Sequence, residues 1–236
     1  MGWATVAYGA PAPSCWAFEG ALSDCEDIRD DAWPLQAATH PRPSLQGAFV
    51  TILVMSTYCD FVQTRADDDV HRHYHDHEYG FPIQDDNELF ERLMLEINQA
   101  GLSWELILKR KPGFEQAYDG FDIDRVAAYS EADRTRLLAD AGIIRNRLKV
   151  NAAIENAKII QDLQREHGSF KSWIDNHHPL TEAEWVKLFR KTFRFAGPEI
   201  VREFLMSTGY LPGAHTKDCP VFADIAKLKP AWMGLR

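Results

Sequence analysis

From Glu88 onward the apolar residues recur at helical spacing, and no stretch alternates as a half-buried strand would. In "NELFERLMLEINQAGL" the residues Leu89, Phe90, Leu93, Met94 and Ile97 share one helical face, with Asn87 placed to cap it. "SWELILKR" opens a second helix at Ser103, and Pro112-Gly113 is expected to punctuate it. "DIDRVAAY" and "SEADRTRLLADAG" read as short helices. In the latter, Ser130 and Asp133 outline a capping box and Gly142 breaks the run. "RLKVNAAIENAKIIQDLQREHG" is one long helix closed by Gly168, followed by "SFKSWIDNH", "TEAEWVKLFRKTF" and "GPEIVREFLMSTG". The pattern predicts an all-α fold built from many short helices.

A chain of 236 residues holds one domain with a full core, or one domain and an appendage. Residues 1–54 contain five of the twelve prolines, two of the four cysteines (Cys15 and Cys25) and no sustained periodicity. They read as a weakly ordered extension, or as a mis-assigned start, because Met55 opens the better-patterned region. The expected division is an extension over 1–54, a globular domain over 55–222 and a tail over 223–236. No apolar run is long enough to span a bilayer and no secretory signal is visible. Four cysteines without a regular framework suit a reducing, cytoplasmic compartment. The net charge of -9 argues mildly against nucleic acid as a partner. Charge is segregated, however. Arg134, Arg136, Arg145, Arg147 and Lys149 face only Asp140 in sequence, and a second basic stretch holds Lys187, Arg190, Lys191 and Arg194. A phosphate backbone responds to such patches, not to the total.

Three segments carry candidate chemistry. In "HRHYHDHEYG" four histidines alternate, so an extended segment would put His71, His73, His75 and His77 on one face. Four neighbouring imidazoles make a poor tetrahedral cage. One of them could instead join Cys59 with His215 and Cys219 of "HTKDC", a Cys2His2 set clipping the ends of the domain together. Otherwise these are separate polar residues. A rival reading takes His75-Asp76 with His177 and His178 as parts of a metal-dependent phosphohydrolase. In "LEINQAGLSW", Glu96 sits among Met94, Leu95 and Ile97, and Trp104 follows the Gly101 break. A carboxylate beside an aromatic face suits a planar cation, whereas an exposed Glu and a core Trp would be structural. In "LLADAGIIRNRLK", helix, Gly142 turn and helix with Arg145, Arg147 and Lys149 outline a helix-hairpin-helix able to present N–H groups and cations to a phosphate.

Taken together, "YHDHEYGFP", "LEINQAGLSW", "AGIIRNRLKVNAAIENA" and the C-terminal H-x3-C resemble, in order, the motifs of the 3-methyladenine DNA glycosylase I family. The resemblance covers about Tyr58 to Cys219. It implies a helix-hairpin-helix glycosylase fold and a structural zinc on Cys59, His75, His215 and Cys219, with His71, His73 and His77 as bystanders. It implies that Tyr74 and Glu96 hydrogen-bond a flipped base and that Trp104 stacks on it. Tyr79 stands where a Trp is common, Phe61 replaces an aromatic bordering the pocket, and Asp60 replaces a Gly.

The activity so implied is hydrolytic excision of 3-methyladenine from double-stranded alkylated DNA in base-excision repair. The enzyme would act as a monomer without strand cleavage, in the cytoplasm at the nucleoid, with no membrane partner. A non-catalytic zinc-stabilised DNA-binding module and the phosphohydrolase are the competing readings.

Overall fold

The computed structural model describes residues 57–234, so the expected extension 1–54, with Cys15 and Cys25, lies outside the described residues. Among the described residues every regular element is helical. Capping side chains set where the first helices begin. α1 (Tyr58–Gln63) opens in a capping box of Thr57 and Asp60. α2 (Val70–His77) is capped by Asp69, α3 (Asp86–Gln99) by Asp85 and α4 (Trp104–Ala117) by Ser103. Each offers an oxygen to N–H groups that have no partner inside the helix. A 3-10 turn (Asp119–Phe121) leads into α5 (Ile123–Ala127). α6 (Glu131–Ala139) starts in the expected Ser130–Asp133 box. α7 (Arg147–His167) ends at Gly168, whose φ of 87° is left-handed and favours glycine. α8 (Phe170–His177), α9 (Glu182–Thr192), α10 (Pro198–Ser207) and α11 (Pro220–Lys227) follow, then a 3-10 turn (Ala231–Gly234).

α3 is the axis of the core. Leu89, Phe90, Leu93, Met94, Leu95 and Ile97 are all 1% exposed or less. α4, α5, α7, α8 and α10 pack around it. Buried helix ends need partners for their free backbone groups, and here α3 exchanges them with α7 and α8. At its C-terminal end the Lys149 ammonium donates to the carbonyls of Asn98 and Ala100, both at 2.8 Å. At its N-terminal end Asp86 accepts from the backbone N–H groups of Phe170 (2.7 Å) and Lys171 (2.9 Å), which fastens α8 to α3.

Several local expectations are corrected. The histidine stretch is not extended: it is α2, so its period is that of a helix. His71 and His75, one turn apart, are buried, while His73 and His77 are exposed. Asn87 does not cap α3. Asp85 does, and Asn87 accepts from the Ile123 N–H at 3.1 Å. Pro112-Gly113 does not end the second helix. α4 continues to Ala117, because Phe114 and Ala117 are core residues whose burial outweighs the hydrogen bond a proline forfeits. The limit expected at residue 222 falls inside α11. Beyond it, Pro230 is buried and the Trp232 N–H donates to Gly209 at 3.3 Å.

Gly113 has a packing role. A Cβ there would lie 2.7 Å from the Gly142 carbonyl oxygen, so α4 and the α6–α7 connection meet backbone to backbone. Alanine gains about 1 kcal/mol of helix propensity, but forcing two backbones apart costs about 1–3 kcal/mol. Gly113→Ala is therefore expected to lower the thermal unfolding midpoint. An unchanged or raised midpoint would show that the two segments separate cheaply.

Candidate functional site

The first constellation joins the two ends of the domain. Cys59 lies in the first turn of α1, His75 near the end of α2, and Cys219 caps α11 four residues after His215. One donor atom from each of the four residues falls within 4.8 Å of all the others. Sγ of Cys219 is 3.5 Å from Nδ1 of His215 and 3.7 Å from Nε2 of His75, and Sγ of Cys59 is 3.8 Å from Nδ1 of His215. With bonds of about 2.3 Å to sulfur and about 2.0 Å to nitrogen, a tetrahedral metal sets each S–N edge near 3.5 Å, so the spacing fits. The outer nitrogens are already committed. Nδ1 of His75 meets Asp76 Oδ1 at 2.7 Å, and Nε2 of His215 meets the Tyr79 carbonyl at 2.8 Å, which orients Nε2 and Nδ1 respectively inward. Burial lowers the His215 pKa to about 4, keeping the imidazole neutral as a ligand must be. Burial pushes the Cys219 thiol up, and Cys59 beside it adds to this. A divalent cation between the sulfurs reverses that cost. His177 and His178 are not in this group: Nδ1 of His177 meets the Trp173 carbonyl, and His178 packs on Tyr210.

The second constellation lies around Glu96. The carboxylate projects from α3 and is 5% exposed, and no described residue hydrogen-bonds to it. Burial raises its pKa to about 8, and the negative charge of Glu203 adds to this while Arg92 opposes it. The aromatic residues expected around it are brought together. Tyr74 lies 5.1 Å from Trp104 and 5.5 Å from Tyr79 between ring centroids. Both phenols sense the Glu96 charge, and burial keeps both protonated. Phe61 sits further out, stacked on Tyr58 at 6.1 Å with the Arg65 guanidinium over its ring at 4.5 Å. Asp60 closes the α1 capping box, which accounts for an acid at that position. A surface cleft of about 470 Å3 adjoins the cluster, sharing the Tyr74 wall with His73, Glu78, Leu108 and Lys111 but not reaching Glu96 or Trp104.

Three contributors carry little or no mark in the sequence. Arg92, 3% exposed, donates to the Tyr74 hydroxyl at 3.2 Å and to Glu78 Oε2 at 3.2 Å. An arginine inside the apolar run of α3, four residues before Glu96, was the available signal. Glu203 accepts from the Tyr79 hydroxyl at 3.2 Å, and nothing in its surroundings in sequence marks it. His71 stays outside the group of Cys59, His75, His215 and Cys219, as expected, but is buried with its Nδ1 3.0 Å from the Tyr58 hydroxyl, within hydrogen-bonding range.

The expected phosphate hairpin is occupied by the protein itself. The Gly142 N–H donates to Asp140, and Arg110 donates to the carbonyls of Ala141 and Ile143. The start of α7 is capped by Asn146, which takes the N–H groups of Leu148 and Lys149. Lys149 is buried on α3 and cannot reach a phosphate. Arg145 and Arg147 do reach solvent. A second helix-turn-helix, α9 to α10, is open. Its turn (193–197) ends at Gly197, which makes no side-chain cap. Lys187, Arg190, Lys191 and Arg194 are exposed, and their side chains are neither ion-paired nor hydrogen-bonded to any described residue. Asn156 of α7 clamps the turn through the Arg194 N–H (2.8 Å) and carbonyl (3.2 Å). Phe195, at φ 60°, is 45% exposed there.

Comparison with known proteins gives concordant results. Residues 64–185 match the family model described as methyladenine glycosylase. DNA-3-methyladenine glycosylase 1 of Escherichia coli (strain K12) is 34% identical over 165 residues, 62% of this chain and 88% of that protein. DNA-3-methyladenine glycosylase of Haemophilus influenzae is 31% identical over 185 residues, 70% of this chain and 98% of that protein. Among solved structures, a Tyr-to-Phe variant of 3-methyladenine DNA glycosylase I in complex with 3-methyladenine superposes with a TM-score of 0.62 at 31% identity. The match covers 66% of this chain and 94% of that one.

The raised pKa of Glu96 has a consequence for stability. The unfolded chain ionises this acid near its ordinary value of 4.5, the folded chain only near 8. Stability from the protonated form is thus complete below about 4.5 and lost as pH rises toward 8. At pH 8, Glu96→Gln is expected to stabilise the protein by ~2–4 kcal/mol, and at pH 4.5 hardly at all. Denaturant unfolding at both pH values tests this; equal stability of variant and wild type at pH 8 would contradict it.

Proposed function

Because the chain belongs to the methyladenine glycosylase family, an N-glycosyl hydrolase family acting on alkylated bases in DNA, we propose that it extrudes 3-methyladenine from duplex DNA and hydrolyses its glycosidic bond. One observation carries the reading: a buried carboxylate that no described residue hydrogen-bonds, beside a cluster of three aromatic rings. Such a group is costly to bury unless a cation answers it. Alkylation at N3 makes adenine cationic and a good leaving group. Glu96 accepts hydrogen bonds from the base edge, the Tyr74 hydroxyl is held by Arg92, and Trp104 stacks on the electron-poor ring. The base must leave the helix to reach them, since none of this chemistry fits inside a stacked duplex.

Lys111, in the adjoining cleft, is tied to Glu78 and Glu91 and held protonated, so the reading is hydrolysis without a Schiff base and without strand cleavage. Glu96→Gln keeps the size and removes the charge. Losing a charge-assisted hydrogen bond costs roughly 1.5–3 kcal/mol, about a tenfold to hundredfold loss in rate. Trp104→Ala is expected to cost about 1–3 kcal/mol through lost stacking. Single-turnover release of 3-methyladenine from methylated duplex measures both. Release by Glu96→Gln as fast as wild type would remove Glu96 from the site.

The Cys59, His75, His215 and Cys219 group suits zinc, because two thiolates and two imidazoles at tetrahedral spacing match its preferences and leave no open position. The metal is structural, clipping α1 and α2 to the start of α11. Purified protein should carry one equivalent by elemental analysis, and Cys219→Ala should lose both the metal and several degrees of thermal stability. Substoichiometric zinc in the well-folded wild type would refute the assignment.

Duplex binding runs through the α9–α10 turn, with Arg145 and Arg147 in a lesser role. Unpaired cations and an uncapped helix start are what a phosphate requires, and the α6–α7 turn has spent its backbone groups internally. Replacing Arg190, Lys191 and Arg194 by Ala should weaken binding to damaged and undamaged duplex alike. It should also flatten the salt dependence by about 0.9 for each phosphate no longer neutralised. A larger effect from Arg145 and Arg147 would return the interface to the first hairpin.

A further inference from the structure

Two arms of opposite charge converge on the phenols beside Glu96. On one, Glu78 Oε2 holds Arg92, which donates to the Tyr74 hydroxyl at 3.2 Å. On the other, Glu203 of α10 accepts from the Tyr79 hydroxyl at 3.2 Å. α10 packs directly on α3, the helix that carries Glu96, and the Tyr74 and Tyr79 rings lie 5.5 Å apart. The mechanism above uses the first arm and leaves the second without a task. A half-buried acid turned inward onto a phenol, when solvent was available to it, calls for one.

We propose that Glu203 is a positioning residue of the base pocket: from α10, packed on α3, its carboxylate holds the Tyr79 hydroxyl and brings a second negative charge to the wall beside Glu96, which governs the pH range in which the pocket accepts a cationic base. This deepens the glycosylase reading and rests on it. The charged and titratable groups facing the pair are few. Glu96 is approached by Arg92 of its own helix, by Tyr74 and Tyr79 from α2 and the residues after it, and by Glu203 from α10. Glu203 is approached by Arg202 and Glu199 of α10, Tyr79, and Glu182 of α9. Glu203 is the largest charge raising the Glu96 pKa and Arg92 is the one lowering it, so the two arms act in opposition on one proton. Burial raises the Glu203 pKa as well, while the Tyr79 hydroxyl lowers it and so favours its charged form. Two nearby carboxylates resist joint ionisation. Removing the charge of one moves the other's titration toward lower pH.

The test uses the full chain as wild type, Glu203→Gln, Glu203→Asp and Tyr79→Phe. The Glu96 carboxyl is followed by 13C NMR against pH, with its signal identified by its loss in Glu96→Gln. In parallel, kcat/KM for 3-methyladenine release is measured across the same pH range. The wild-type rate should rise with pH as Glu96 ionises, since kcat/KM reports the free enzyme. In Glu203→Gln, which keeps an acceptor for Tyr79, both midpoints should fall by roughly one pH unit. Glu203→Asp should restore them. Tyr79→Phe, which frees Glu203 to take up a proton, should shift them in the same direction as Glu203→Gln but less. A Glu96 midpoint identical in wild type and Glu203→Gln overturns the proposal even if base release is intact. A midpoint that shifts as expected, in proteins that release no base, supports the coupling and removes the glycosylase reading instead.

Discussion

The buried ammonium of Lys149, on two carbonyls at the end of α3, is the interaction on which the arrangement depends. α3 packs against five other helices, and from Leu89 to Asn98 every residue but Glu91 is buried. Asn98 is buried, and an orphaned carbonyl there would cost about 1–3 kcal/mol. Lys149 meets that need from the first turn of α7, and Asp86 fixes the other end of α3 to α8. Held at both ends, α3 delivers Glu96 to a buried position that favours its protonated form up to about pH 8.

α2 links the two constellations. Successive residues leave a helix about 100° apart, so Tyr74 turns toward Trp104 while His75 turns toward His215 and Cys219. Glu78, one turn after Tyr74, returns to Arg92. Tyr79 belongs to both: its carbonyl orients the His215 ring and its hydroxyl meets Glu203. A metal held at this point would therefore stiffen the wall formed by Tyr74 and Tyr79. Both share the residues between Tyr74 and Gly80, so loss of the clip would loosen the pocket as well as the ends of the domain.

The charge distribution separates catalysis from binding. The chain carries a net charge of -9, and most cations of the described residues are matched by acids or by carbonyls. Of those left over, Lys187, Arg190, Lys191 and Arg194 lie on α9 and the following turn and Arg145 and Arg147 at the start of α7, with Lys217 and Lys229 apart from them on either side of α11. Phosphate attraction is local and screened within about 8–10 Å, so the proposed duplex binding by an acidic protein would use such a face. The surroundings of Glu96 hold a second acid, Glu203, an arrangement that would suit a cationic base and repel a phosphate.

Periodicity alone determined that the chain is helical, and capping residues such as Ser103 and Ser130 placed several boundaries, because these are local interactions. The ordered motifs picked out Cys59, His75, His215 and Cys219, and with them Tyr74, Glu96 and Trp104. What lay beyond reach was whatever depends on who sits opposite. Four histidines spaced by two looked like one face of a strand, and only the surrounding helices decided that they wind as α2 with two inside and two out. Lys149 and Arg145 are alike in sequence, yet one is buried under α3 and the other faces solvent. The Gly142 turn reads as a phosphate hairpin on paper, but Gly113 and Arg110 close it, while the turn at Gly197 carries no side-chain cap. Glu203 had no mark at all. Its place beside Tyr79 arises from the packing of α10 on α3, which brings together residues 124 positions apart that no local pattern relates.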